Sequence, residues 1–312
     1  MTIADGRLLY GIQLPIQAQS TMFTEDWERR SGPDELVQLA RAADDHGFAY
    51  VAVCDHIAIP ERLAGAMSTT WYDTVATLGM LAGVTERVRL MSHVAVLAFR
   101  HPLQSAKSYA TLDHLSKGRM IIGVGAGHVE EEFTVLGLDF HRRGRLLDEA
   151  IDGLRRALTE EFPSHQGEQW TFSGMGIGPR PVQTPPPIWV GGSSPAAIRR
   201  AAERGDGWLP QGTPRKKMPE QIDELRIHRD KVRGGEPIDI GTITEFLHVG
   251  EPTWDVGRGV ISGSAESIGE SLRVFAAMGV TNLQVRFKAR SCDELMDQMA
   301  AFGSEVAPLL EA

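Results

Sequence analysis

Short apolar segments alternate with amphipathic segments along almost the whole chain. The apolar segments have the length of β-strands, and the amphipathic ones repeat apolar residues every three or four positions, as helices do. Leu8–Leu14 is an example of the first kind. Asp34–His46, which places Leu36 and Leu39 on one side, is an example of the second. The pattern predicts a chain of β–α units.

Eight segments are predicted to be strands: Leu8–Leu14, Tyr50–Cys54, Val88–Val96, Met120–Val124, Ile188–Val190, Gly207–Leu209, Ile238–Val249 and Asn282–Phe287. The predicted helices are Asp34–His46, Tyr72–Val84, Leu103–Leu115, a helix from Val129, Arg145–Glu160, Pro195–Arg204, Pro219–Arg233, Ser264–Met278 and Cys292–Leu310. Eight such units in about 300 residues, joined by right-handed crossovers, fit a closed barrel better than an open sheet. We therefore predict an α/β fold, a single (β/α)8 barrel domain over residues 1–312.

Residues 161–187, a stretch rich in proline and glycine, interrupt the alternation of predicted strands and helices. We expect a long insertion with a small hairpin, for which Trp170 and Phe172 are candidate anchors. A loop of this length in a compact domain usually carries function or packs as a lid. Together with the first loop, Pro15–Gly32, which contains Trp27, the insertion is predicted to shape the pocket.

The amino-acid composition and charge argue against several classes of protein. Apolar residues make up 42% of the chain and charged residues 23%, enough for a sizeable core. The 32 basic and 41 acidic residues give a formal net charge of −9, which argues against a nucleic-acid-binding surface. Two cysteines, Cys54 and Cys292, are too few for a disulfide framework or a multi-cysteine metal site. With no run of about 18 apolar residues and no apolar stretch in Met1–Gly6, we expect a cytoplasmic enzyme without a membrane partner.

In a (β/α)8 barrel the active site lies at the carboxyl ends of the strands, so polar residues there are the first candidates. Asp55 and His56 follow the second strand. A histidine titrates near neutrality, and a neighbouring carboxylate can set its tautomer; alternatively, Asp55 caps the loop and His56 only packs. His93, in the third strand, either faces the barrel mouth or is a satisfied core histidine.

Two glycine-rich turns follow the fourth and fifth strands. The first, Gly123–His128, fails the dinucleotide-binding pattern because His128 stands where that pattern needs glycine, and three acids follow at 130–132. Its glycines either let a flat ring approach the backbone or form a plain tight turn. The second, Gly191-Gly192-Ser193, precedes a helix whose first turn carries no acid. It is predicted to bind a phosphate group, the alternative being an ordinary N-cap by Ser193 or Ser194.

Farther along, the cations Arg215–Lys217 either bind an anionic tail or are simply solvated. The chain lacks the nucleotide P-loop, zinc-protease and serine-hydrolase motifs, and its histidines show no metal-ligand spacing. A stacking site, a phosphate site and one Asp-His pair favour a bound organic cofactor that performs the redox step.

An ordered set of segments carries a family resemblance. They are Asp55-His56, 87–90 through 100–102, Leu112-Asp113 with 116–119, 123–127, Glu132-Phe133 with Leu136-Gly137, 179–183 with 186–192, and 205–208. With these segments the chain resembles the luciferase-like monooxygenase superfamily of flavin and deazaflavin barrels. The greatest similarity is to the branch that uses the deazaflavin coenzyme F420.

The resemblance implies a set of cofactor-binding residues. His56 would lie near the redox ring, and a bulge with a non-proline cis peptide would fall at about His93-Val94. Gly125 and Gly127 would approach the cofactor, and Gly191 and Gly192 would bind its phosphate. Ser193, Trp208 and His128 complete the predicted set. His128 departs from the family pattern, in which many relatives carry an aromatic or acidic residue.

Three hypotheses follow. In the first, a hydride passes between F420 and a small organic substrate while His56, oriented by Asp55, exchanges a proton with that substrate. In the second, reduced FMN and oxygen oxygenate the substrate. The short segment 251–263 favours the first, since luciferase-type relatives carry longer insertions there. In the third, the barrel binds a flavin-like ligand without catalysis, against which the Asp55-His56 pair argues. A homodimer is expected from the family.

Overall fold

The computed structural model describes residues 2–4, 7–21 and 24–310, and a barrel of parallel strands forms its centre. Met1, Asp5, Gly6, Met22, Phe23, Glu311 and Ala312, which fall in the predicted domain, lie outside the described residues. The strands are β1 Leu9–Gln13, β2 Tyr50–Val53, β3 Arg89–Ser92, β4 Met120–Val124, β5 Ser164–Gln166, β6 Thr171–Ser173, β7 Ile188–Gly191, β8 Gly207–Leu209, β9 Asp239–Val249, β10 Ile261–Gly263 and β11 Asn282–Phe287.

Eight of these strands close into a barrel in the order β1, β2, β3, β4, β7, β8, β9 and β11, with β11 pairing back onto β1. Every pairing in this ring is parallel. Closure is set by register: Ile12 lies opposite Val51 on one side and opposite Val285 on the other. The predicted (β/α)8 barrel is confirmed.

Helices α1 to α11 surround the barrel. They are α1 Pro33–Asp45, α2 Glu61–Met67, α3 Thr74–Ala82, α4 Pro102–Leu115, α5 Glu130–Val135, α6 Arg143–Thr159, α7 Pro195–Arg204, α8 Met218–Arg233, α9 Ala265–Ala277, α10 Cys292–Ala301 and α11 Ala307–Leu310. Within the described residues, none of them has both the length and the apolar character needed to cross a bilayer.

Side-chain caps explain where several helices begin. The Asp73 carboxylate accepts the amide of Ala76, so α3 begins at Thr74 and not at the predicted Tyr72. The predicted helix 292–310 is interrupted by a π-helical turn over Phe302–Val306. The short helix α2 and the strand β10 were not predicted, and α2 buries no side chain.

Two layers of apolar side chains form the core. The larger layer lies between the sheet and the helices and includes Val51, Leu283 and Val285. The smaller layer fills the barrel interior with Tyr50, Ala52, Met91, Ile121, Trp189 and Leu209. The two layers alternate along each strand because successive side chains point to opposite faces.

The 161–187 insertion contains the predicted hairpin, β5 paired antiparallel with β6, and buries Trp170 and Phe172. Its turn is held on α6, where the Glu149 carboxylate accepts the amides of residues 168–170 at 2.7 to 3.2 Å. Arg180 then binds the last carbonyls of α6. The insertion thus joins α6 to the start of β7 and packs on the outer side of α6. Its part in shaping the pocket stays a prediction.

Candidate active site at the carboxyl end of the barrel

The segment after β3 occupies the centre of the candidate site. The peptide bond between His93 and Val94 is cis, as the family resemblance implied. The half-buried Val94 side chain lies between two glycines: a Cβ on Gly125 would stand 2.4 Å from Val94 Cγ2, and one on Gly191 would stand 2.8 Å from Val94 Cγ1. These positions need glycine because Val94 fills the space. Val94 therefore lies against one side of this glycine backbone, and the prediction that the fourth-strand glycines let a flat ring approach stays a prediction.

Beneath Val94, a polar layer crosses the barrel interior. His93 is 1% exposed, and its Nδ1 lies 3.3 Å from Gln13 Oε1. Gln13 Nε2 donates to Cys54 Sγ at 3.0 Å, and Gln284 Nε2 lies 3.5 Å from Gln13 Oε1. Within the described residues, His93 Nε2 and Gln284 Oε1 are buried without a partner. Burial lowers the pKa of His93 to about 4, so this histidine is neutral at physiological pH and incompletely satisfied.

His56 pairs with a carboxylate that is distant in sequence. Its Nδ1 lies 2.8 Å from Glu132 Oε2, while Glu132 Oε1 accepts the amides of Ile57 at 2.7 Å and Ala58 at 3.2 Å. Burial by itself would raise the pKa of Glu132, but the hydrogen bonds from His56 and the two amides outweigh it and keep that pKa below its ordinary value. Glu132 is therefore an ionised acceptor for the His56 ring.

Asp55 does not orient His56, which corrects that prediction. Its carboxylate accepts Arg100 Nη1 at 2.7 Å, Arg100 Nη2 at 2.9 Å and the amide of Val96 at 3.0 Å. The Asp55 side chain is 2% exposed, and the bidentate geometry is the strong form of this contact. Asp55 thus ties the end of β2 to the segment after β3, the segment in which Val94 lies.

Aromatic rings enclose the rest of His56. The Trp71 ring lies 4.4 Å from it and the His128 ring 5.4 Å, both edge-on, and the His56 side chain is 9% exposed. His128 itself is exposed. Trp71 is held against the first loop by a bridge to Ala18. The described part of that loop therefore contributes to the surroundings of His56.

The turn before α7, predicted to bind a phosphate group, is capped by a serine side chain. The Ser194 side chain caps α7 by accepting the amide of Ala197 at 3.2 Å, so Ser193 is not the cap. Within the described residues, the amide of Ser193 has no acceptor, and the first turn of α7 carries no acid. Gly127, also predicted for the cofactor, lies against Phe133 and Val96 at the fourth-strand turn.

Trp208 was predicted to contact a cofactor, but its side chain is fully buried. Its Nε1 donates to the carbonyl of Gly192 at 2.9 Å. The indole therefore lies behind the Gly191–Ser193 turn and supports it, and the prediction of direct contact was wrong.

The arginine side chains at the barrel mouth make hydrogen bonds and ring contacts within the protein. Arg215 donates to the carbonyl of Ser271 and stacks 4.1 Å above the Phe275 ring, so it does not offer its charge to an anionic tail. Lys216 and Lys217 are exposed. Arg286 donates twice to the carbonyl of Thr244. Of the predicted cluster, the two lysines alone stay open to solvent.

Glu132, Gln13, Gln284 and Arg100 were not proposed from the sequence as residues of the site. Glu132 was interpreted as one of three acids at a helix start, and its place among the segments that carry the family resemblance was the signal that could have found it. Gln13 ends β1 and Gln284 lies within β11. Both strands alternate these polar residues with apolar ones, a pattern that carries a signal only once the barrel register is known. Within the described residues, no group of three or more His, Cys, Asp or Glu side chains could hold a metal ion.

Together these contacts place the His56 imidazole and the Gly191–Ser193 turn, with its free Ser193 amide, at the same end of the barrel. Such an arrangement can hold an anionic ligand by its phosphate and accept a proton from a second molecule.

Comparison with known proteins agrees with this geometry. The model of the family described as luciferase-like monooxygenase matches residues 10–256. An uncharacterised protein of Mycobacterium bovis is 35% identical over 183 residues, which are 54% of this chain and 65% of the relative. An F420-dependent glucose-6-phosphate dehydrogenase of Nakamurella multipartita is 35% identical over 182 residues, 57% of this chain and 52% of the relative. The chain therefore spans less than two thirds of these relatives.

A solved structure shares the fold. The structure of an F420-dependent secondary alcohol dehydrogenase in complex with an F420-acetone adduct has a TM-score of 0.79, with 98% of this chain and all of that chain covered. Its 15% sequence identity shows the fold alone.

Proposed function

This chain belongs to the luciferase-like monooxygenase family, and we propose that it is an oxidoreductase that transfers a hydride between coenzyme F420 and a small organic substrate at the carboxyl end of the barrel. The observation that carries the proposal is His56, paired with the ionised Glu132, at the same barrel end as the Gly191–Ser193 turn. The F420-dependent name of the Nakamurella relative supports the choice of cofactor.

The residues present fit a phosphate-bearing ring cofactor. The free amide of Ser193 and the acid-free start of α7 form a cradle for its phosphate. His93-Val94, Gly125, Gly127 and His128 would surround the ring, with Val94 as the apolar surface beneath it. F420 would supply a carbon that donates or accepts a hydride.

His56 would exchange a proton with the substrate. A neutral imidazole whose Nδ1 hydrogen is held by Glu132 has an acceptor at Nε2, and among the described residues no protein group is bonded to that atom. General-base catalysis of this kind contributes about 10²- to 10⁴-fold to rates. Asp55 and Arg100 would keep Val94 in position without contacting the substrate.

Cofactor titration tests the proposal. Binding is measured by fluorescence with F420 and, separately, with FMN, for the native chain and for Ser193→Asp and Ser193→Asn. We expect F420 to bind, Ser193→Asp to weaken it at least tenfold by placing a negative charge in the cradle, and the neutral Ser193→Asn to bind nearly as the native chain does. Turnover is then sought with the substrates named for the relatives, glucose 6-phosphate and a secondary alcohol. Binding of FMN but not F420 would overturn the proposal.

An FMN-dependent monooxygenase is the second candidate, favoured by the family's description. It predicts oxygen uptake with reduced FMN, which the F420 enzyme would not show. The proposal also includes one barrel domain over residues 1–312, a cytoplasmic location and a homodimer. Family membership and the expectations from the sequence support these three statements.

A further inference from the structure

We propose that Glu132 is a positioning residue that fixes the tautomer of His56, so that Nε2 and not Nδ1 is the proton acceptor. This inference rests on the proposed function for its consequence in catalysis. Its structural part concerns the chain alone and can be tested without cofactor or substrate.

The Glu132 carboxylate is locked in one orientation. Its side chain is 2% exposed, and Oε1 already accepts two backbone amides, Ile57 at 2.7 Å and Ala58 at 3.2 Å. Those amides can only donate, so an acceptor must stand at the Oε1 position. Oε2 is the atom left to face His56 Nδ1, at 2.8 Å.

The charges around the pair favour the same assignment. The ionised Glu132 can only accept, so Nδ1 must carry the hydrogen. The other groups that face His56 are the neutral Trp71 and the exposed His128. The neighbouring acid on α5, Glu131, is engaged in an exposed ion pair with Arg62. In the described part of the chain, no second carboxylate contacts the His56 ring.

The fixed orientation of the Glu132 carboxylate leads to a specific prediction for the variant Glu132→Gln. The two amides of residues 57 and 58 require the glutamine carbonyl oxygen at the Oε1 position, which leaves the NH₂ group facing His56 Nδ1. An NH₂ group donates, so Nδ1 must become the acceptor and the ring hydrogen must move to Nε2. A substitution that keeps size and shape is therefore expected to reverse the tautomer.

The reversal would remove the base function of His56. In the native chain, Nε2 can take the proton that leaves a substrate hydroxyl, and the resulting imidazolium is stabilised by Glu132. In Glu132→Gln the neutral ring presents a hydrogen at Nε2 and cannot accept that proton there. Turnover is expected to fall about 10²- to 10⁴-fold, close to the loss in His56→Ala, while F420 binding changes little.

Nitrogen-15 NMR of the histidine rings tests the tautomer directly. Full-length chain without added ligand is labelled at histidine and observed at about pH 9, above the ordinary imidazole pKa of about 6.5. His56 is assigned by its absence in His56→Ala. We expect a hydrogen on Nδ1 in the native chain and in Glu131→Gln, the matched change one residue away, and a hydrogen on Nε2 in Glu132→Gln.

The outcomes separate this inference from the proposed function. A native chain with the hydrogen on Nε2, or a Glu132→Gln chain that keeps it on Nδ1, would overturn the positioning role whatever cofactor binds. If Glu132→Gln does not fold, the native spectrum alone decides. The expected tautomers in a chain that fails to bind F420 would overturn the proposed function and leave the positioning role standing.

Discussion

At the scale of single residues, Asp55 and His56 show how adjacent positions acquire separate roles. Both follow β2, and their adjacency predicts a catalytic pair. In the barrel, successive side chains at a strand end point in different directions, so Asp55 meets Arg100 and His56 meets Glu132. The sequence thus identified His56 as a candidate but assigned it the wrong carboxylate.

The variant Asp55→Asn tests whether Asp55 and His56 have separate roles. It replaces the buried acceptor of Arg100 and is expected to lower the free energy of unfolding by about 3 kcal/mol, because breaking a buried pair leaves a charge uncompensated. Urea unfolding at pH 7.5 measures the loss. The control Asp45→Asn, whose carboxylate is 69% exposed beside Arg87, should change stability by less than about 1 kcal/mol.

The same variant separates Asp55 from the chemistry of His56. The nitrogen-15 spectrum of the His56 ring should be unchanged in Asp55→Asn. A change of tautomer there would support the Asp55–His56 pairing that the sequence predicted. Equal small losses of stability in both variants would contradict the importance of the buried Asp55–Arg100 pair.

At the scale of elements, local sequence patterns predicted helices and strands well, but they did not predict where an element packs in the molecule. The helical spacing of apolar residues, together with a cap at Ser194, predicted α7 with the bounds that the structure shows. The 161–187 insertion was predicted as a hairpin with buried anchors, which is confirmed. Its location on the outside of α6 depends on Glu149 of that helix, which accepts the amide of Trp170, and on Arg180 of the insertion, which donates to the carbonyl of Glu160.

Glu149→Ala is expected to loosen the hairpin selectively. The change removes the acceptor of three amides, worth about 1–3 kcal/mol of local stability. Hydrogen exchange of residues 164–173, followed by mass spectrometry, should therefore accelerate about tenfold or more. We expect binding of F420 to stay unchanged, since the hairpin is held on the outer side of α6.

Glu160→Ala is the matched control for the hairpin. Its carboxylate is 42% exposed and pairs with Arg156 on the same helix, so hydrogen exchange in the hairpin should stay as in the native chain. Weakened cofactor binding in Glu149→Ala would contradict the placement of the insertion outside the site.

At the scale of the whole molecule, a buried acid in the first loop ties stability to pH. Glu28 is 8% exposed and accepts the amides of Glu25 at 2.9 Å and Ile16 at 3.4 Å. Burial raises its pKa from 4.5 to about 7. The folded chain therefore keeps a proton that the unfolded chain releases, and this contribution to stability is present below about pH 4.5 and is lost as pH rises to about 7.

Glu28→Gln should remove that dependence. Between pH 5 and pH 8, the free energy of unfolding of the native chain is expected to fall by roughly 2 kcal/mol more than that of the variant, because glutamine cannot release a proton. Urea unfolding at several pH values gives both curves. Asp239, whose pKa burial raises to about 6, contributes equally to the two proteins and cancels in the difference. Parallel curves would contradict the role of Glu28.

The order of strands and helices, the barrel and the turn before α7 could be predicted because they depend on local periodicity and on caps a few residues away. The cis peptide at His93-Val94 and the cofactor class followed from the resemblance, not from local pattern. The partner of His56 was decided by the tertiary structure: Glu132 lies 76 residues along the chain. Likewise, Gln13 meets Gln284 across 271 residues. Which polar side chains meet at the mouth depends on the register with which distant strands close the barrel, and no short-range pattern encodes that register.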